Sequence, residues 1–93
     1  MSKVNETLEK RGEVYGNFTR GINLEAIVMD TIKGRYYSEH GTDMNEWDIV
    51  AISKIVMKLS RLAVSPEHVD SWHDIAGYAT LVEQHLTKEN TNA

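Results

Sequence analysis

The chain reads as a small all-α domain, and three observations carry that reading. Two long segments repeat apolar residues at alternating spacings of three and four: Ile49, Ile52, Val56, Leu59 and Ala63 in one, and Trp72, Ile75, Ala79, Val82 and Leu86 in the other. That spacing is the period of one helix face. Proline occurs once, and few β-branched residues alternate with polar ones over the length of a strand. Capping signals stand near the start of each stripe.

Residues 3–13 form a short polar helix with few apolar anchors, chiefly Val4 and Leu8. "VYGNF" breaks it. Gly16 and Asn17 both tolerate a positive φ, and Tyr15 and Phe18 flank them as pegs expected to dock on the core. Leu24, Ile27, Val28, Thr31 and Ile32 recur at helical spacing and predict a second helix over 19–37, with Gly34 as a stop or a point of close approach. The polar stretch Ser38–Asp43 is expected as a loop.

Asp43, with Glu46 three residues on, matches a capping box and opens a third helix that runs to Val64. Trp47, Val50, Ile55 and Leu62 lie off its main stripe, so this helix is apolar on more than one side and belongs in the centre. Ser65 before Pro66, or Asp70, caps the fourth helix, predicted over 71–88, with 88–93 a flexible polar tail. The short connection between helices three and four makes them an antiparallel hairpin. The whole chain, 1–93, is one domain, with 1–18 as its N-terminal helix and aromatic turn.

Composition sets limits on function. A 93-residue domain buries a modest share of its surface, so a homo-oligomer built through helices two to four is expected. The net charge of −4 argues against a binder of extended nucleic acid, which needs a concentrated positive surface. Without cysteine, disulfides, thiolate catalysis and thiolate zinc sites are excluded. No apolar run reaches the length of a membrane span, and the N-terminus lacks the apolar core of a signal peptide, so a soluble, cytoplasmic protein is expected.

One pairing carries the most chemistry. Lys54, Lys58 and Arg61 share a face of helix three, and Asp70 and Asp74 share a face of helix four. Facing positions of an antiparallel pair keep a nearly constant sum of residue numbers, so one register sets Arg61 against Asp70 and Lys58 against Asp74. Lys54 then faces Gly77 or Tyr78. One reading is structural: ion pairs fix the register, Asp70 caps the helix, and Asp74 sits near its positive end. A second has Lys54, Lys58 and Arg61 lining a pocket for a phosphorylated, nucleotide-like ligand, with Tyr15, Trp72 and Tyr78 to stack a base. A third has Asp70 and Asp74, with His68 and His73, hold a metal. His40 and His85 are read as isolated surface residues.

"LEKRGEVYGNF" and "KLSRL…DSWHDIAGYATLVE" resemble a family of small phage- and prophage-encoded proteins. Its members share an Arg-x-x-x-Tyr-Gly-x-Phe element and a Lys-x-x-Arg…Asp-Ser-x-x-Asp-x-x-Gly-Tyr-Ala element. The resemblance spans about Leu8 to Leu86. It implies a phage-encoded protein acting in an infected cell. Taken with the basic stripe and the missing metal-ligand motif, the expectation is an accessory protein that binds a small phosphorylated ligand or a host protein and sequesters or inhibits a host factor. The chain is also weakly similar to all-α nucleotide pyrophosphohydrolases of the MazG kind. That similarity implies an alternative, magnesium-dependent pyrophosphate release with Asp70 and Asp74 as the metal acids. Here the two acids are four apart where those enzymes space them by three. No second acidic cluster is present beyond Glu25 and Asp30. A protein–protein adaptor without a small ligand is the remaining alternative.

Overall fold

The computed structural model describes residues 3–92, with side chains through Lys88. Four helices follow in order: α1 (Lys3–Tyr15), α2 (Phe18–His40), α3 (Glu46–Val64) and α4 (Val69–Asn92). No strand occurs among the described residues, so the chain is all-α.

Helix ends follow the strongest local capping chemistry. Asn17 opens α2, its side-chain oxygen accepting from Arg20 N–H at 3.0 Å. The second helix does not stop at 37: Ser38, Glu39 and His40 remain helical, and the chain turns at Gly41, whose φ of 73° suits the left-handed cap position. Gly34 lies mid-helix, with nothing within 4 Å of where a Cβ would stand. The predicted capping box also shifts. Asn45, not Asp43, caps α3. Its side-chain oxygen accepts from Asp48 N–H at 2.9 Å, while its amide donates to the Asp48 carboxylate at 3.0 Å. The fourth helix starts at Val69 rather than 71, and it continues past the expected end at 88 to Asn92. Ala93 lies outside the described residues.

The third helix is central, as its many-sided apolar pattern requires. It packs against α1, α2 and α4, whereas the backbones of α2 and α4 do not approach each other. The contacts of α3 with α4 are consistent with the expected hairpin. The result is an open layer of three helices with α1 laid across one end, 55 × 27 × 24 Å in extent. Its radius of gyration is 16.2 Å, against about 12 Å for a compact chain of this length. Val56 and Leu62 are the buried apolar side chains among the described residues.

The turn from α1 to α2 is fixed to the far end of α3. Gly16 adopts φ 80°, and a Cβ there would stand 2.7 Å from Val64 Cγ2. Ser65 Oγ donates to the Val14 carbonyl. Phe18, expected to dock, is instead 81% exposed, because capping at Asn17 places it at the outer start of α2. Tyr15 is the aromatic that turns inward.

Candidate functional site

In the hairpin, Lys58 Nζ lies 2.9 Å from Asp74 Oδ2. The lysine stem is buried and the carboxylate is half-exposed. The hydrogen bond from Lys58 holds the Asp74 carboxyl below its ordinary pKa of 3.8; partial burial opposes this and is outweighed, with the charges of Lys58, His73 and Arg61 adding to the lowering.

The second expected pair does not form. Arg61 turns away from Asp70 and lies over the Tyr15 ring, its guanidinium carbon 4.2 Å from the ring centroid. The cause is tertiary: the Tyr15–Gly16 turn, held on Val64 and Ser65, sets an aromatic face beside Arg61. Asp70 stays exposed in the first turn of α4, where the helix dipole favours its charge. Tyr15 meets the His68 ring edge-on at 5.5 Å and 87°. His68 Nδ1 shares a 2.8 Å hydrogen bond with Ser71 Oγ, and Ser71 is 1% exposed. His68 thus takes the capping place before α4, with Ser71 N–H donating to its carbonyl.

Beside Tyr15 a cleft of about 540 Å³ opens between α1, α2 and α3. Arg11 and Tyr15 line it from α1, Phe18, Gly21 and Glu25 from α2, and Arg61 from α3. This volume is within the range of small-molecule sites. Stacking on Tyr15 occupies the face of the Arg61 guanidinium and leaves its in-plane N–H donors free of any acceptor among the described residues. The start of α2 also contributes. Asn17 engages the N–H of Arg20, and the N–H groups of Phe18 and Thr19 remain among the orphan donors of the helix start. The two arginines outweigh Glu25, so the cleft is locally basic within an acidic chain.

The other predicted residues go elsewhere. Lys54 and Tyr78 line a separate, apolar groove along the hairpin with Trp47, Val50 and Leu81. Trp72 lies on the outside of α4, its indole N–H donating to the Pro66 carbonyl at 2.9 Å. The basic stripe is therefore split three ways: Lys58 to Asp74, Arg61 to the cleft, Lys54 to the groove. Among the described residues no three His, Asp or Glu side chains converge as metal ligands. His85 is not isolated, since its ring stacks on Trp47 with centroids 4.2 Å apart.

Arg11, Phe18 and Glu25 were missed as site residues. The Arg-x-x-x-Tyr-Gly-x-Phe element contained the first two, one helical turn apart from Tyr15 or in the turn after it. Its fixed spacing was the available signal.

Residues 1–86 match the family model described as a domain of unknown function, DUF6378. The chain belongs to the DUF6378 family. No curated protein and no solved structure matches it. The matched span of this DUF6378 chain contains both motif elements, and in the fold the two meet at the Arg61–Tyr15–His68 contact. No described helix is long and apolar enough to cross a membrane.

Proposed function

We propose that this protein binds a small phosphorylated, nucleotide-like molecule in the cleft between α1, α2 and α3. The observation that carries this reading is the convergence of Arg11 and Arg61 on one concave site. The two arginines come from distant parts of the chain, and neither has a carboxylate partner among the described ion pairs. Guanidinium groups recognise phosphate through paired, in-plane N–H donors. The orphan N–H groups at the start of α2 add a second anion-binding element. Phe18, exposed at the start of α2, offers a face for a base, and Glu25 accepts from hydroxyl or exocyclic amine groups.

The role is binding rather than turnover. Asp74 is engaged by Lys58, and Asp70 stands apart from the cleft on the exposed first turn of α4. The likeness of the two motifs to phage-encoded proteins supports sequestration of a host molecule as the biological use.

Isothermal titration with inorganic phosphate and with nucleoside mono-, di- and triphosphates tests the proposal. Binding of at least one nucleotide is expected. R11A, which alters an exposed side chain, and R61A each weaken it about tenfold or more, the worth of one charge-assisted contact. K54A, in the separate groove, leaves it unchanged. Absence of binding by every nucleotide at millimolar concentration refutes the small-ligand reading and leaves the adaptor. Magnesium-dependent pyrophosphate release lost in D74N refutes the binding-only role.

A further inference from the structure

The groove along the outer side of the α3–α4 hairpin is open, and its lining is unlike that of the arginine cleft. Trp47, Val50 and Leu81 form its walls while remaining 46%, 54% and 62% exposed. Trp47 is held in place by the stacked His85 ring. Large apolar side chains this exposed and this contiguous mark an interface.

The charges at its ends say what occupies it. Glu46 closes the groove at the start of α3 and Lys54 closes it eight residues later, with Val50 midway. These three positions, four apart, form one ridge on α3, each about 6 Å along the helix axis from the next. Neither Glu46 nor Lys54 takes part in an ion pair within the chain among the described residues. A ridge that is acidic at one end, apolar in the middle and basic at the other is complementary to itself under a two-fold axis through its centre. The layered architecture points the same way. Helices are stably buried between two layers, and this chain provides one open layer with a thin core.

We propose that two copies of the chain associate through this groove, about a two-fold axis at Val50. The two α3 helices cross antiparallel. Val50 meets Val50 of the second copy, Glu46 of each copy pairs with Lys54 of the other, and Leu81 flanks the axis on α4. The interface is isologous, so each ion pair occurs twice. It leaves the arginine cleft open, because Arg61 and Lys54 face different hollows.

Sedimentation equilibrium of the full chain, from micromolar to about 1 mM, decides the matter. A monomer–dimer equilibrium is expected. V50D sets two carboxylates against each other at the axis, while E46K and K54E each create two like-charge contacts. Each of the three variants should raise the dimer dissociation constant about tenfold or more. The double variant E46K/K54E reverses both ends and should return it to the wild-type value. The charge pair also keeps the test decisive if far-UV circular dichroism shows V50D to be unfolded. A chain monomeric at every concentration overturns the proposal, as does a dimer indifferent to E46K and K54E. Failure of the double variant to recover association overturns it equally.

Discussion

Replacing Gly16 by alanine is the sharpest test of how the cleft is built. Gly16 has φ 80°, and a Cβ added there stands 2.7 Å from Val64 Cγ2. Left-handed backbone costs a residue with a Cβ about 1–2 kcal/mol. The contact forces Val64 off its rotamer or displaces the turn, at about 0.5–1.5 kcal/mol. Alanine narrows the unfolded ensemble and returns about 0.4–1 kcal/mol. The central values give a net loss of about 2 kcal/mol. Urea unfolding followed by far-UV circular dichroism measures it directly, provided the transition is two-state. The double variant G16A/V64A separates the two causes. Val64 is half-exposed, so its truncation costs little, and the double variant should recover the contact part while keeping the backbone part. G16A as stable as the wild type would refute the strained turn, and with it the account of how Tyr15 reaches Arg61. G16A should also weaken ligand binding at the arginine cleft, since the turn positions Tyr15 and Phe18.

Two further outcomes test the core and the hairpin. Val56 is 3% exposed at the centre of α3, so V56A should destabilise the chain by about 2 kcal/mol in the same denaturation assay, combining lost burial with a small cavity. Asp74 has its pKa lowered in the folded state by the hydrogen bond from Lys58. A lowered folded pKa means the stabilisation is complete above the unfolded value and disappears as pH falls through the folded one. Wild type should therefore exceed D74N in melting temperature at pH 7, with the difference closing below about pH 4. A gap that persists at pH 2 would show that the ionised carboxylate is not what Lys58 holds.

Much of the fold was legible in the sequence because helices are local. The stripes in α3 and α4 fix which faces are apolar, and the short Ser65–His68 connection makes those helices antiparallel neighbours. With that register given, the Lys58–Asp74 pair followed from residue numbers alone. Helix ends were less legible where two capping residues compete: Asp43 with Glu46 and Asn45 with Asp48 have the same spacing, and in the fold it is Asn45 that accepts from Asp48 N–H and donates its amide to the Asp48 carboxylate. Gly41 ended α2 where the polar residues before it had suggested a loop, since Ser38, Glu39 and His40 carry no reason to leave the helix.

The candidate site divides along the same line. Periodicity placed Lys54, Lys58 and Arg61 on one face of α3, and that placement is intrinsic to the sequence. Which hollow each enters was decided by what else packs there. The Tyr15–Gly16 turn comes from a segment more than forty residues away and lodges against Val64 and Ser65. Its aromatic ring draws Arg61 from Asp70 and opens the cleft that Arg11 completes. Spacing along one helix determines which side chains share a face. Only the packing of remote segments decides which of them meet a partner, a neighbouring ring or an open cavity.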